Sequence, residues 1–294
     1  MARKYVLSVN IIEKPFVFEN RNQKLFGILH QPDAGGRETA VIFLHGWGTY
    51  RIGPHRIFVE AARAFASAGF TCLRFDFRGR GESEGNVKDI TLLDMIDDVG
   101  QAVNEILKLD GISQVVLLGL CSGGEVAVGA ASTNQDVKGV VLWSTPLLGR
   151  QAGSVIGEEV RQTANYAKSY WQKLFLGATW KKIFTFRINY GAIFKILLGS
   201  HQHRKQDGKP MKEVELLGQF RNYKGACLFV YGEKDPEAVI SGKAYREACA
   251  ANSKAVFKVI PEANHNFYSV AWKQELIGMV LEWLEGILQN KILN

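Results

Sequence analysis

The sequence predicts an α/β fold with a mostly parallel central sheet and helices on both faces. Short apolar segments of strand length alternate along the chain with longer segments whose apolar residues recur at helical spacing. This alternation is typical of strands joined by crossover helices, which form a parallel sheet covered on both sides. The 294 residues are enough for one large domain of this kind, or for such a domain with an insertion.

The predicted elements follow one another in a regular order. Residues 15–20 and 25–30 flank a polar turn and predict an antiparallel hairpin. Continuous apolar runs, which are typical of buried parallel strands, occupy 39–46, 71–77, 114–119, 139–144, 226–232 and 255–260. Helical segments occupy 54–68, 90–109, 122–133, 237–251 and 267–289.

The alternation of strands and helices is interrupted between the predicted strands 139–144 and 226–232. Residues 146–212 contain no buried strand run, only helical, aromatic and basic sequence. We therefore predict a core of residues 1–145 and 213–294, with a helical cap, 146–212, inserted after the sixth strand. The cap has twelve Lys or Arg and three Asp or Glu residues, so its formal charge is +9 and that of the remainder is −2.

The composition argues against several classes of protein. The four cysteines lie far apart, without the spacing of a zinc site or a disulfide framework, and fit a reducing cytoplasm. Polar residues interrupt the first sixteen positions, so no signal peptide is expected, and no apolar run approaches the roughly 18 residues that span a bilayer. We expect a cytoplasmic protein without metal or cofactor, which the basic cap could bring to a membrane surface. No nucleic-acid-binding motif is present, so no nucleic-acid partner is expected.

A strand, a tight turn and a helix follow one another directly in residues 115–127. A nucleophile elbow requires this order, with small residues two positions before and two positions after the nucleophile, because the backbones crowd there. Cys121 meets this requirement, since Gly119 and Gly123 flank it. The partial positive charge at a helix N-terminus also favours a thiolate.

Two other interpretations of this segment stay open. Ser122 could be the nucleophile, but Leu120 would then occupy the position where a side chain clashes. Alternatively, Cys121 is a small buried residue at an ordinary junction between strand and helix, as many lone cysteines are.

These motifs resemble the α/β-hydrolase superfamily over nearly the whole chain. The matching segments are 45–48 (HGWG), 75–83 (FDFRGRGES) and 119–124 (GLCSGG). The cysteine elbow is similar to those of dienelactone hydrolases, polyhydroxyalkanoate synthases and the hydrolases associated with bacterial exosortase loci. The chain differs from the first in its long basic cap and is short for the second. The resemblance therefore implies the catalytic groups but no substrate.

The resemblance implies the chain order nucleophile, acid, histidine. Asp235 follows a predicted strand where the family carries its acid, although an Asp-Pro pair also forms turns, and Glu233 is the alternative acid. His265 follows the last predicted strand, where the family carries its base. Among the other histidines, His45 lies in the oxyanion motif, where the family's histidine is usually structural.

The implied reaction is hydrolysis of an ester or thioester through an acyl-cysteine intermediate. His265 would take the proton from Cys121 and later protonate the leaving group, while Asp235 would hold the imidazole tautomer. By the family's geometry, the backbone N–H groups of Trp47 and Ser122 would bind the oxyanion.

Three alternatives remain at this point. An acyltransferase would use the same triad, and a serine esterase would use Ser122. A non-catalytic binding protein would keep the fold and dock an anionic partner through the cap. The cap itself is either an ordinary solvated basic surface, or a binding surface for an anionic acyl carrier (coenzyme A or an acyl carrier protein) or an anionic membrane.

Overall fold

The computed structural model describes residues 10–148 and 210–289. Its strands are β1 (Ile11–Asn20), β2 (Gln23–Pro32), β3 (Thr39–Leu44), β4 (Thr71–Phe75), β5 (Gln114–Leu120), β6 (Val137–Trp143), β7 (Ala226–Gly232) and β8 (Ala255–Ile260). They form one eight-stranded sheet in the order β1-β2-β4-β3-β5-β6-β7-β8. Only β2 runs antiparallel to its neighbours β1 and β4, and all other pairs are parallel. The predicted mostly parallel sheet is therefore confirmed.

Helices cover the sheet on both faces, as predicted. The described helices are α1 (Ile57–Ser67), α2 (Leu92–Leu107), α3 (Ser122–Thr133), α4 (Pro210–Phe220), α5 (Pro236–Ala248) and α6 (Val270–Gln289). One apolar cluster packs α2 and α3 against the sheet, and a second packs α1 and α6 against it. Neighbouring residues of β3 alternate between the clusters, with Ile42 in the first and Phe43 in the second, because successive strand side chains point to opposite faces.

Local sequence accounts for the first hairpin and for the start of α2. Arg21 and Asn22 connect β1 to β2 with φ values of 49° and 58°, the left-handed conformation that suits a two-residue hairpin turn. Thr91 and Asp94 form a capping box at the N-terminus of α2, which pairs backbone N–H groups that the helix leaves free.

Helix α1 begins later than the sequence predicts. The predicted helix spans 54–68, whereas α1 starts at Ile57 after a short 3₁₀ turn. His55 and Arg56 have φ values of 50° and 61°, and left-handed residues cannot continue a right-handed helix. The Nζ of Lys273, from α6, donates a hydrogen bond to the His55 carbonyl at 3.2 Å. A hydrogen bond from the last described helix thus accompanies the interruption of the helix at His55 and Arg56.

The predicted cap lies almost entirely outside the described residues, so its helical structure stays a prediction. Strand β6 ends at Trp143 and α4 begins at Pro210, and the segment between them is described only as far as residue 148. In the described parts of the chain, no helix is both long enough and apolar enough to cross a membrane.

Strand β5, strand β3 and helix α3 approach one another very closely at the carboxyl end of β5. A Cβ atom added to Gly119 would lie 2.4 Å from the Gly123 carbonyl oxygen, and one added to Gly123 would lie 2.0 Å from the Leu44 carbonyl oxygen. Neither distance can accommodate a carbon atom. Glycine is therefore required at both positions, for the steric reason that the elbow pattern predicts.

We expect Gly123→Ala to destabilise the protein by at least about 2 kcal/mol, because the new methyl group would push α3 away from β3. Gly100→Ala is the matched control. A Cβ at Gly100, in the interior of α2, would meet no neighbouring atom within 4 Å, so this change should stabilise by about 0.5–1 kcal/mol. Urea denaturation of both variants measures the difference. Equal stability of the two variants would contradict the close crossing.

Candidate active site

Cys121 connects β5 to α3 in a strained backbone conformation. Its φ and ψ are 55° and −130°, a combination that non-glycine residues adopt only when the surrounding structure enforces it. The Cys121 N–H donates to the Trp143 carbonyl at 2.9 Å, and the Cys121 carbonyl accepts from the Gly124 N–H at 2.8 Å. Ser122 is already the first residue of α3. The strained position of the turn is thus Cys121, which is partly exposed whereas the other three cysteines are buried.

Asp235 and His265 lie together at the carboxyl ends of β7 and β8. The Nδ1 atom of His265 is 3.0 Å from Oδ1 of Asp235. The same carboxylate oxygen accepts the Glu237 N–H at 3.0 Å and so caps α5. The Cys121 side chain also interacts with His265 and contributes to raising its pKa. The structure therefore brings together the three side chains that the sequence singles out.

The charges of His265 and Asp235 stabilise each other. Burial alone would lower the pKa of His265, but interactions with the Asp235 and Cys121 side chains outweigh it and raise the pKa to about 10. Burial alone would likewise raise the pKa of Asp235, yet the bonds to His265 and other donors hold this pKa below its usual range. An imidazolium facing a carboxylate is the favoured state of the pair at neutral pH.

Ser144 is a member of the site that the sequence analysis did not identify. It follows β6 with a φ of 47° and is fully buried. Its hydroxyl contributes to lowering the pKa of Asp235, although Ser144 Oγ and Asp235 Oδ2 do not reach full hydrogen-bond geometry. In the sequence, Ser144 is only the end of a predicted strand, and no local pattern indicates its left-handed backbone.

Trp47, the predicted oxyanion donor, lies beside the elbow. A Cβ atom on the preceding residue, Gly46, would lie 3.6 Å from the Cys121 Cβ. The Trp47 N–H already donates a hydrogen bond, at 2.8 Å, to the side-chain oxygen of Ser122. The Ser122 N–H, at the first position of α3, has no partner within the helix. A substrate oxygen could therefore accept from the Ser122 N–H, which is not used within the helix. It would share the Trp47 N–H with the Ser122 hydroxyl.

His45 has a structural role, as its position in the oxyanion motif predicts. Its ring is fully buried. Its Nε2 accepts the Phe77 N–H at 3.3 Å, so Nδ1 carries the proton and donates to the Gly46 carbonyl at 2.9 Å. Burial lowers the pKa of His45 to about 4. A neutral imidazole thus joins the predicted oxyanion loop (residues 45–48) to the loop that follows β4.

The alternative acid and one further buried histidine have other partners, and two histidines lie outside the described residues. Glu233, the alternative acid, is exposed, and its carboxylate accepts the Glu262 N–H at 2.9 Å. His30 is buried beside Arg74, and burial lowers its pKa to about 4. Residues 201 and 203, the two histidines of the predicted cap, lie outside the described residues.

The sheet order, the strained turn and the position of the histidine are those of a hydrolase built around a nucleophile elbow. Residues 41–276 match the model of the alpha/beta hydrolase family. The chain therefore belongs to this family, as its motifs predict, and is an enzyme of the hydrolase class.

Three similar proteins illustrate this membership. An uncharacterized 31.7 kDa protein of the traX-finO intergenic region in Escherichia coli is 22% identical over 86% of this chain and 93% of its own length. The esterase Pf2001 of Pyrococcus furiosus has a TM-score of 0.63 at 20% identity, over 95% of this chain and 91% of its own. Est1E of Butyrivibrio proteoclasticus, solved with ferulic acid, has a TM-score of 0.62 at 18% identity, over 92% of this chain and 99% of its own. The two structural likenesses establish the fold.

We expect the imidazole of His265 to titrate near pH 10 in the folded protein. In Asp235→Asn this pKa should fall toward the ordinary value of 6.5, because the carboxylate no longer stabilises the cation. Since folding raises this pKa, the stability that it contributes is complete below about pH 6.5 and is lost as the pH rises toward 10.

Proton NMR titration of the histidine ring measures the first effect, and melting temperatures at pH 6 and pH 10 measure the second. The advantage of the wild type over Asp235→Asn should be smaller at pH 10. Glu233→Gln is the control, because Glu233 lies two residues away on the surface and should leave the titration unchanged. A pKa near 6.5 in the wild type would contradict the charged pair.

Proposed function

We propose that the protein hydrolyses an ester or thioester through an acyl-cysteine intermediate on Cys121. The observation that carries the proposal is the joint position of a partly exposed cysteine with a strained backbone and a His265–Asp235 pair whose histidine also interacts with the cysteine side chain. A nucleophile, a base and a group that orients the base are the components that acyl transfer needs.

In the first half of the proposed reaction, the Cys121 sulfur attacks the scissile carbonyl carbon while the thiol proton resides on His265. The tetrahedral intermediate collapses with cleavage of the bond to the leaving group, which takes the proton from His265. In the second half, His265 accepts a proton from water, and the hydroxide attacks the acyl-cysteine. The acid product leaves, and the thiol is regenerated. Asp235 holds the imidazole and stabilises its cation throughout.

Trp47 and Ser122 would stabilise the oxyanion through their backbone N–H groups, each donor being worth roughly 2.7–4 kcal/mol in related sites. Because the Ser122 hydroxyl accepts the Trp47 N–H, rotation of that hydroxyl would release the donor to the substrate. The rotated hydroxyl could itself donate to the oxyanion. Acyl transfer to an acceptor other than water would share the first half of the reaction.

Ser122 is the less suitable nucleophile on these contacts. Its side chain is 4% exposed and accepts the Trp47 N–H, so the hydroxyl oxygen faces the oxyanion loop. Cys121, and not Ser122, is the side chain whose interaction raises the pKa of His265.

Incubation with a panel of 4-nitrophenyl esters and acyl thioesters should produce an acyl adduct detectable by intact-protein mass spectrometry. Peptide mapping should place the adduct on Cys121, since the other three cysteines are buried. Cys121→Ala should form no adduct and lose turnover by several orders of magnitude. Ser122→Ala should still form it. An adduct that persists in Cys121→Ala and disappears in Ser122→Ala would reassign the nucleophile.

We also propose that the predicted cap, 146–212, recognises an anionic acyl carrier or membrane, because its formal charge is +9. Raising the salt from 0.1 M to 1 M shortens the Debye length from about 10 Å to about 3 Å. The KM for a coenzyme A thioester should then rise, while that for a small neutral ester should barely change. Combined Lys181→Glu and Lys182→Glu should weaken only the anionic substrate. Equal responses of both substrates would mean that the cap is an ordinary solvated surface.

A further inference from the structure

Two arginines close to the oxyanion loop are neutralised by acids. Arg51 forms ion pairs with the buried Asp76 and with Glu82. Arg78 pairs with the buried Asp98 and, at 3.0 Å, with a neighbouring carboxylate of α2. Both guanidinium groups therefore have their counter-ions within the protein and contribute little net positive charge to the site.

Arg80, in the same loop after β4, differs from these two. Its guanidinium donates to the Trp47 carbonyl and lies 5.1 Å from the centroid of the Trp47 ring. It forms no ion pair with any residue whose side chain the structure describes, namely residues 10–148 and 215–287. Its Nε atom is buried and has no hydrogen-bond partner among those residues. Burial lowers the pKa of Arg80, because water that would stabilise the cation is partly excluded.

The charge of Arg80 lies next to the proposed reaction centre. The Trp47 residue contacts Arg80 through its carbonyl and its ring, and contacts Ser122 through its N–H. Ser122 in turn follows Cys121 directly. Trp47 thus contacts the Arg80 cation through its carbonyl and ring, and carries the proposed oxyanion donor at its N–H. Trp47 is 39% exposed, so a bound molecule can reach this place.

We propose that Arg80 binds a carboxylate of the substrate, so that the enzyme prefers esters or thioesters that carry an acidic group near the scissile carbonyl. This inference rests on the proposed function and specifies its substrate class. A guanidinium donates two parallel hydrogen bonds to a carboxylate. A carboxylate in this position would supply the counter-ion that Arg51 and Arg78 already have. The half-buried setting would also screen the pair less than open solvent does.

The acidic group could belong to the acyl part or to the leaving group, and two pairs of esters distinguish these sources. On the acyl side, 4-nitrophenyl hydrogen adipate is compared with the neutral 4-nitrophenyl hexanoate, which has the same chain length. On the leaving-group side, 4-carboxyphenyl hexanoate is compared with phenyl hexanoate. In one of the two pairs, Arg80→Gln should raise the KM of the charged ester about tenfold or more, as for the loss of a charge-assisted hydrogen bond. The neutral ester should change less than about twofold.

Lys88→Gln is the matched control, because it removes one positive charge from an exposed position in the same loop. It should leave all four KM values unchanged. Arg80→Lys keeps the charge without the two-pronged geometry and should restore part of the preference. Equal rises in KM for charged and neutral esters in Arg80→Gln would overturn the proposal, because Arg80 would then only support the Trp47 ring. No preference for either charged ester in the wild type would also overturn it.

Binding to an inactive variant separates this inference from the proposed function. Calorimetry on Cys121→Ala should show that monomethyl adipate or 4-carboxyphenyl hexanoate binds, and that adding Arg80→Gln weakens this binding about tenfold or more. If an acyl adduct forms on Cys121 but binding does not depend on Arg80, the carboxylate site is wrong and the proposed function stands. If binding depends on Arg80 but no ester forms an adduct, the carboxylate site stands and the proposed function is wrong.

Discussion

The close crossing of β3, β5 and α3 is the constraint on which the rest of the site depends. The carbonyl of Leu44 occupies the space where a side chain of Gly123 would be, so α3 can begin immediately above the sheet. The chain must then turn within one residue, and Cys121 takes the strained conformation. Because β3 is the neighbour of β5, the loop after β3 emerges beside this turn. The elbow and the oxyanion loop are therefore consequences of the same packing.

The sheet order also explains why the acid and the histidine meet, although 30 residues separate them in the chain. Gly232 at the end of β7 pairs with Ile260 at the end of β8, so the loops that follow both strands start side by side. Asp235 is almost completely buried, and a buried carboxylate requires a cation or several donors. His265 and the Glu237 N–H provide them. The imidazole is therefore oriented when the end of the sheet that carries β7 and β8 folds.

The features that the residue pattern itself predicts depend on local backbone geometry, whereas Asp235 and His265 were implied by the family resemblance. Gly119 and Gly123 mark the elbow because the two positions that must lack a side chain lie within a segment of five residues. The features that were missed depend on distant contacts. The break before α1 involves Lys273, 218 residues from His55. The hydrogen bond between the Trp47 N–H and the Ser122 hydroxyl likewise follows from the pairing of β3 with β5, which no pattern around either residue indicates.

The isolated charge of Arg80 was missed for a related reason. The sequence places Arg78 and Arg80 in one motif with equal charges, and only the fold decides which of them reaches the acids of α2. A net charge of +7 for the whole chain therefore says little about the site, since all of the excess belongs to the predicted cap, and the remainder has a formal charge of −2. A cation that binds the carboxylate of a substrate does so both before and during the reaction. Such uniform binding lowers KM without accelerating the chemical step. Arg80 would thus determine which ester is bound, while the rate would depend on Cys121, His265 and the oxyanion donors.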